Sequence, residues 1–255
     1  MIFLQSYSVG VSHLTSSCPC WAYTKILGRD EADTFCAKHA QNSPTSLFRC
    51  LHHYNVSEIF ALNVAIYIYD NAEVLDFSGP FEVFSTASRL SSPENFFNVF
   101  LVAEEKYPVN ARAGYSVNPH YDFNDHPEID LLIVVGGIHT EELEKPSVIS
   151  WVAAVEKNAQ LVASVCTGAF ILAEAGLLSG LNVTTHWEDI NDLQNAYPDL
   201  TVVRSQRWVD EGRFITSGGI SAGIDMSLYL VSKLASLELA ENTAKQMEFE
   251  WRKSS

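Results

Sequence analysis

The sequence predicts an α/β fold in which a mostly parallel sheet is covered by helices on both faces. From residue 63 onward, continuous apolar runs of strand length alternate with longer segments that have helical periodicity. Runs that are apolar throughout, rather than at every second residue, are typical of strands buried on both faces. The chain has 255 residues and is 47% hydrophobic, which is enough for one large domain with a full core.

The first half of this pattern contains buried strands and proline-initiated helices. The strands are predicted at residues 64–69, 98–103, 129–137 and 161–165. Pro80 is expected to open a helix that runs to residue 90, and Pro146 a helix to about residue 158, because the first helical turn tolerates proline. Segment 115–123 alternates and contains a proline, so an edge strand or hairpin is expected there.

The second half continues with shorter elements. A helix follows the fourth strand and ends at Gly176, since glycine commonly closes a helix. A further helix is expected to start at Ser221 as its N-cap, with Asp225 in its first turn. The remaining predicted elements are strands at residues 182–186, 200–203, 207–212 and 213–219, and helices at residues 187–196 and 238–251.

Negative charge is concentrated in the same part of the chain. Residues 1–60 contain four basic and four acidic residues, so the whole formal net charge of −15 lies in residues 61–255. A domain this acidic repels phosphate backbones, which disfavours nucleic-acid binding. No apolar run reaches the roughly 18–20 residues that a membrane span needs, and the N-terminus lacks the basic start of a signal peptide. The chain is therefore predicted to be cytoplasmic, with no membrane partner.

Residues 1–60 differ in composition from the rest and are predicted to form a loosely ordered extension of the domain at residues 61–255. Four of the five cysteines lie here with three histidines nearby: Cys18, Cys20, Cys36, Cys50, His39, His52 and His53. The Cys-x-Cys spacing around Pro19 matches no common zinc pattern. A metal site and a disulfide-bonded knot are the alternatives.

Cys166 lies where an apolar strand meets a helix, in the stretch LVASVCTGAFILAEAG (161–176). A nucleophile on such a turn needs small residues two positions before and two after it, and Ser164 and Gly168 meet this requirement. The N-terminus of the following helix is expected to lower the pKa of the thiol and favour the thiolate. A buried structural cysteine is the alternative.

Gly136 and Gly137 end the predicted central strand. Ligands of open α/β sheets lie beyond the carboxyl ends of the strands, and paired glycines there let backbone N–H groups face a developing negative charge. Together with the N–H of Thr167, they are predicted to form an oxyanion hole. The alternative is an ordinary strand-ending turn.

Asp76 lies between the first strand and the first helix, which places it at the same edge of the sheet. Its neighbours are unusually apolar for a loop, and an apolar pocket disfavours the charged form of a carboxyl group. Such a group suits proton donation near neutral pH. Glu73 is a rival carboxylate, and capping of the helix by Asp76 or Ser78 is the alternative.

His186, in the segment VTTH, is a candidate partner for the Cys166 thiol. Histidine is the usual general base for a cysteine nucleophile. A position at the start of a helix without a catalytic role explains the residue equally well, so both interpretations stay open.

Together these motifs resemble the PfpI/ThiJ branch of the class I glutamine-amidotransferase-like superfamily. The resemblance covers about residues 62–252. It rests on the order of a strand, an acidic residue before the first helix, a central strand with Gly-Gly, the cysteine elbow and VTTH. It implies a flavodoxin-like three-layer α/β/α sandwich with a cysteine nucleophile elbow, usually assembled as a homodimer.

Details of the sequence favour a subgroup of that superfamily. The segments CTG (166–168), LDFSGPFEVF (75–84) and WVDEGRFITSGGISAGIDM (208–226) resemble isonitrile hydratases and, equally, the effector domain of AraC-type regulators. Peptidase and deglycase-like members have a histidine directly after the cysteine, whereas this chain has Thr167. A peptidase activity is therefore disfavoured.

The resemblance to the hydratases implies roles for individual residues. Cys166, Asp76 and Thr167 correspond to the catalytic set, and residues 218–220 to the start of a helix that borders the active site and can shift. The residues expected to bind substrate or an oxyanion are Gly136, Gly137, Gly219, Ile220 and His186.

The implied reaction adds water to an isonitrile without a metal or organic cofactor. A Cys166 thiolate would attack the terminal carbon, Asp76 would protonate that carbon, and water would convert the thioimidate to an N-substituted formamide. A small-molecule sensor is one alternative. A glyoxalase, deglycase or redox-protective protein is the other, and members of that class use Glu where this chain has Asp76. AraC-type regulators add a helix-turn-helix region after the sandwich, and this chain ends at Ser255, so a sensor is expected to be free-standing.

Overall fold

A computed structural model describes residues 61–92 and 94–253, and its centre is a six-stranded sheet. In chain order the strands are β1 (Leu62–Tyr67), β2 (Phe97–Val102), β3 (Val109–Ala111), β4 (Tyr115–Val117), β5 (Leu131–Val134), β6 (Leu161–Val165), β7 (Asn182–Val183), β8 (Thr201–Val202), β9 (Trp208–Glu211) and β10 (Phe214–Ser217). The main sheet has the order β2-β1-β5-β6-β10-β9, and β9 pairs antiparallel with β10 at one edge. The predictions for residues 1–60 lie outside the described residues.

Helices cover both faces of this sheet. They are α1 (Val74–Leu90), α2 (Thr140–Leu143), α3 (Pro146–Glu156), α4 (Gly168–Glu174), α5 (Ile190–Ala196), α6 (Ala222–Leu234) and α7 (Leu237–Gln246). Helices α1, α6 and α7 pack against one another, and α2, α3 and α4 form a second group. The predicted three-layer α/β/α sandwich is confirmed.

The strand order places the candidate residues together. Among the parallel strands, β1 lies between β2 and β5, so the chain first crosses to one side of β1 and then to the other. Ligands of doubly wound sheets bind where this reversal occurs, beyond the carboxyl ends of the strands. Asp76 follows β1, Gly136 follows β5 and Cys166 follows β6, the next strand along.

The buried strands are apolar throughout, as the sequence pattern predicted. Residues 131–134 of β5 and residues 64–67 of β1 are at most 1% exposed. Of segment 115–123, predicted as an edge strand or hairpin, residues 115–117 form β4, which pairs antiparallel with the preceding β3, and Tyr121 makes an isolated bridge to Val102. No helix among the described residues is long and apolar enough to cross a membrane.

Helix α1 begins at Val74, so the predicted start at Pro80 is wrong. Pro80 lies inside the helix, where it lacks the N–H that would donate to the carbonyl of Asp76. The turn before the proline packs against α6, since a Cβ at Gly79 would lie 2.9 Å from Cγ1 of Ile224. Tertiary packing therefore extends the helix beyond the point where local sequence signals would start it.

Gly168 lets helix α4 start directly against β5. A Cβ at this position would lie 2.2 Å from the carbonyl oxygen of Val134 and 2.8 Å from its carbonyl carbon. Because both atoms belong to a central strand, neither can move aside. The predicted need for a small residue two positions after Cys166 is confirmed.

Gly168→Ala is expected to lower the free energy of unfolding by about 3 kcal/mol, because the new methyl group overlaps backbone atoms of the sheet. Gly180→Ala is the control, since Gly180 has a φ of 76° and no atom lies within 4 Å of the position that its new methyl group would take. It should lose only about 1 kcal/mol, the cost of a left-handed non-glycine residue. Urea unfolding measures both, and equal losses would contradict the close approach of α4 and β5.

Candidate active site

Cys166 occupies a strained turn between β6 and α4. Its φ is 56°, in the left-handed region that residues other than glycine rarely adopt. The Cys166 N–H donates to the carbonyls of Ser217 (3.2 Å) and Gly218 (3.3 Å), and the Cys166 carbonyl accepts a 2.8 Å hydrogen bond from Thr185 Oγ1. Strain of this kind persists only where surrounding contacts enforce it, and it is concentrated at functional sites.

The carboxyl group of Asp76 is completely buried beside this thiol. Its Oδ2 accepts a 3.1 Å hydrogen bond from the N–H of Gly136, and its Oδ1 accepts a 3.0 Å hydrogen bond from the N–H of Ile220. The Cys166 thiol is a third hydrogen-bonding partner. Asp76 thus joins three separate chain segments at the carboxyl edge of the sheet.

The helix-cap interpretation of Asp76 and Ser78 is wrong. Glu73 occupies the N-cap position of α1, and Asp76 lies in the first turn with its carboxyl group turned toward β5. The Ser78 hydroxyl donates to the carbonyl of Val74 at 2.8 Å, within the helix.

Burial controls the protonation of both groups. It raises the pKa of Asp76 from 3.8 to about 7, although the N–H groups of Ile220 and Gly136 oppose this shift by stabilising the carboxylate. Burial also raises the pKa of the Cys166 thiol well above its ordinary value, and the negative charge of Asp76 adds to the rise. The expectation of a lowered thiol pKa is therefore wrong, since the Thr167 N–H that faces the sulfur does lower the pKa but desolvation outweighs it.

The predicted oxyanion donors are already engaged in hydrogen bonds. The N–H of Gly136 donates to Asp76, and the N–H of Gly137 donates to Thr167 Oγ1 at 3.0 Å. The Thr167 hydroxyl donates in return to the carbonyl of Gly137 at 3.1 Å. The Thr167 side chain thus fixes the end of β5 rather than orienting Asp76, and of the predicted donors only the Thr167 N–H faces the sulfur.

Both glycines are required where β5 meets the elbow. A Cβ at Gly136 would lie 2.6 Å from the Thr167 nitrogen and 2.7 Å from the Cys166 Cβ. Gly137 has a φ of 145°, and its Cβ would lie 2.4 Å from the carbonyl oxygen of Asn71. Because these positions carry no side chain, the backbone can pack closely here, and the turn that carries Cys166 lies directly against the end of β5.

Gly219 borders the thiol, and Ile220 follows it in the same turn with its N–H on Asp76. A Cβ at Gly219 would lie 3.3 Å from the Cys166 sulfur and 2.3 Å from Cδ2 of His186. Only glycine therefore fits between the histidine ring and the thiol. Ile220 has a φ of 54°, which is an outlier for a β-branched residue.

The ring of His186 approaches the site, but its Nδ1 faces carboxylates. Nδ1 lies 3.3 Å from Asp189 Oδ2 and 3.7 Å from Glu188 Oε2. The His186 ring lies near the Cys166 thiol, with Gly219 between them, but its Nδ1 contacts carboxylates and not the sulfur. Asp189, which also acts electrostatically on Cys166, was not found by sequence reasoning, because its neighbours suggested only an ordinary helix start.

Thr185 is a second residue that sequence reasoning missed. Its hydroxyl bond to the Cys166 carbonyl crosses from the segment after β7 to the elbow. The segment VTTH was singled out for its histidine, and the hydroxyl carries no sequence signal of its own. Among the described residues, no group of three or more His, Cys, Asp or Glu side chains could hold a metal ion.

Comparisons with known proteins agree with this fold. Residues 62–233 match the model of the DJ-1/PfpI family. A solved structure of a ThiJ/PfpI family protein from Pseudomonas syringae superposes with a TM-score of 0.67 over 75% of this chain and 76% of that one, at 26% identity. The predicted resemblance to this superfamily is confirmed.

Two relatives represent the two predicted subgroups. Isonitrile hydratase from Pseudomonas putida is 32% identical over 195 residues, which are 74% of this chain and 79% of the hydratase. The HTH-type transcriptional regulator CdhR from Pseudomonas aeruginosa is 32% identical over 173 residues, which are 68% of this chain. The chain spans about half of the regulator's length, at 51%.

The raised pKa of Asp76 predicts how stability depends on pH. The folded protein keeps this proton up to about pH 7, whereas the unfolded chain loses it near 3.8. Stability contributed by Asp76 is therefore lost as pH rises through this window. Relative to Asp76→Asn, the wild type should lose up to about 1.4 kcal/mol of unfolding free energy per pH unit between about pH 5 and about pH 6.5.

Urea unfolding of both proteins across this range measures the difference. Taking the difference removes the contribution of other titrating groups, because Asp76→Asn changes only this carboxyl group. A difference that stays constant with pH would contradict the raised pKa.

Proposed function

The chain belongs to the DJ-1/PfpI family, and we propose that it is a cysteine-dependent enzyme that hydrates isonitriles to N-substituted formamides. The P. putida relative that is called isonitrile hydratase supports this reaction, since it is similar over most of its length. The predicted homodimer and cytoplasmic location stay predictions.

The observation that carries the proposal is the contact between a buried thiol and a buried carboxyl group. Because the pKa of Asp76 is raised to about 7, this group can both accept and donate a proton near neutral pH. Because the thiol is protonated, it needs such a base in order to attack. Above about pH 7 the pair therefore acts as one unit that holds a single proton.

The addition step uses that proton twice. Asp76 takes the proton from Cys166 as the sulfur bonds to the terminal carbon of R–N≡C. Asp76 then delivers the proton to the same carbon, which gives the thioimidate S–CH=N–R and leaves Asp76 as a carboxylate. The N–H of Thr167 stabilises negative charge on the sulfur during the attack.

Hydrolysis returns the enzyme to its starting state. Water bonds to the thioimidate carbon while Asp76 accepts one of its protons and passes it to nitrogen. The C–S bond then breaks, the hydroxyl proton returns through Asp76 to the sulfur, and HC(=O)–NH–R leaves. The overall balance is one isonitrile plus one water to one formamide.

The surroundings of the sulfur suit a small substrate. Gly219 and the His186 ring lie close to the thiol, so a bulky group could not approach the sulfur from that side. His186 is oriented by Asp189, which makes it a candidate to position the attacking water. Thr167, where peptidase-like members have histidine, leaves Asp76 as the base that contacts the thiol.

A sensor function is the second candidate, because the chain is as similar in identity to CdhR as to the hydratase. A sensor would bind a small molecule at the same thiol without converting it. Mass spectrometry of isonitrile incubations separates the two functions, since only the enzyme releases formamide repeatedly. Methylglyoxal in a parallel assay tests the glyoxalase alternative.

Cys166→Ala and Asp76→Asn are both expected to reduce formamide production from an alkyl isonitrile at least about 10³-fold, because each removes one half of the proton-sharing pair. Glu73→Gln is the matched control, since Glu73 is a nearby carboxylate that contacts Arg112 rather than the thiol. Because the charge of Glu73 raises the pKa of Asp76, the comparison is made above about pH 7, where Asp76 is ionised in both proteins, and activity should stay within about twofold. Near-normal turnover by Asp76→Asn would assign proton transfer to another group.

The rate should depend on pH through Asp76. Below about pH 7 the carboxyl group is protonated, so no base remains for the thiol proton. We expect kcat/KM to rise about tenfold per pH unit below this value and to level off above it. A kcat/KM that instead falls as pH rises through 7 is incompatible with the shared-proton mechanism.

A further inference from the structure

The turn at residues 218–221 holds both members of the reactive pair. The carbonyl of Gly218 accepts the Cys166 N–H, and the N–H of Ile220 donates to Asp76. The φ of 54° at Ile220 is costly, so another part of the molecule must keep the turn in this conformation.

Arg207, which precedes β9, contacts this turn at both ends. Its backbone carbonyl accepts a 2.9 Å hydrogen bond from the N–H of Gly218. Its guanidinium group places Nη2 3.4 Å from Ser221 Oγ and Nε 2.5 Å from Asp225 Oδ2. The strained residue lies between these two points of attachment.

Asp225 anchors the guanidinium group from the first turn of α6. Its carboxylate is completely buried, and its side chain does not cap the helix. Instead, Oδ2 faces Arg207, and Oδ1 accepts a 2.9 Å hydrogen bond from the N–H of Arg252. Trp251 Nε1 donates to the backbone carbonyl of Asp225 at 3.1 Å, so residues 251–252 also hold this point.

We propose that Arg207 and Asp225 are positioning residues that keep the Ile220 N–H on the Asp76 carboxyl group. Neither residue contacts the thiol or the carboxyl group of the pair. They act through the conformation of the turn, and residues 251–252 act through Asp225. The effect of these residues on catalysis rests on the proposed function, whereas their effect on the protonation of Asp76 can be measured without any isonitrile.

The test is the pH dependence of iodoacetamide alkylation at Cys166, followed by mass spectrometry of the peptide that contains this residue in the full chain. The rate should rise with pH around a midpoint near 7, as Asp76 becomes able to take the thiol proton. Loss of the Ile220 hydrogen bond destabilises the carboxylate, so Arg207→Met should raise this midpoint by about one pH unit.

Variants of the same arginine and a distant arginine provide the comparison. Arg207→Lys keeps the charge facing Asp225 but cannot also reach Ser221, so its midpoint should lie between those of wild type and Arg207→Met. Arg213→Met removes an ion pair with Glu156 at the opposite end of β10 and should leave the midpoint unchanged. None of these variants alters Glu73 or Cys166, which act on the carboxyl group of Asp76, or Tyr69, on which Asp76 acts.

A double variant tests the route through Ile220. Glycine adopts a positive φ without strain, so the turn no longer needs to be held in Ile220→Gly. In that background, Arg207→Met should shift the midpoint by less than half as much as in the wild type. An undiminished shift, or a shift equal to that of Arg213→Met, overturns the proposal.

Two outcomes keep the test decisive. If Arg207→Met does not fold, Arg207→Lys and Trp251→Phe replace it, since the latter removes the hydrogen bond to the Asp225 carbonyl and leaves Arg207 and Asp225 in place. An unchanged midpoint in both overturns the proposal. If isonitriles are not converted but the alkylation midpoint shifts as expected, the positioning role stands and the proposed reaction fails.

Discussion

The burial of one carboxyl group organises the whole carboxyl edge of the sheet. Asp76 has no contact with solvent, so each oxygen must be satisfied by a protein donor. The donors come from the end of β5 and from the turn before α6, which is 144 residues away in sequence. Those two segments must therefore meet at Asp76, and the elbow that carries Cys166 is enclosed between them.

This arrangement stores strain that the surrounding fold compensates. Cys166 and Ile220 both have left-handed backbone conformations, each of which costs roughly 1–3 kcal/mol. The conformation of Cys166 is held by the close packing of the elbow against β5 at glycine positions. It is also held by the hydrogen bonds of Cys166 to Ser217 and Gly218. The contacts of Arg207 hold the turn that contains Ile220. A site of this kind gives up stability for a fixed geometry between two groups.

Local sequence patterns predicted the elements and their order, because apolar strands, a cysteine between small residues and paired glycines are all short-range signals. They failed where a long-range contact decides the outcome. Packing against α6 lets α1 begin before the predicted proline. The N–H groups of Gly136 and Gly137, predicted to bind an oxyanion, donate instead to Asp76 and Thr167. The hydrogen bond of Ile220 to Asp76 and the contact of Arg207 with Asp225 have no local signal, since neither partner is near the other in sequence.

The direction of the thiol pKa shift distinguishes two kinds of cysteine site. A sulfur at a helix N-terminus in contact with water becomes a stable thiolate, which reacts with many electrophiles. Here burial and the neighbouring carboxylate keep the proton on the pair. The thiolate then forms only as Asp76 takes that proton, and Asp76 is at once a donor beside the carbon under attack. Such a pair favours substrates that accept a nucleophile and a proton at the same atom, which is the chemistry of an isonitrile carbon.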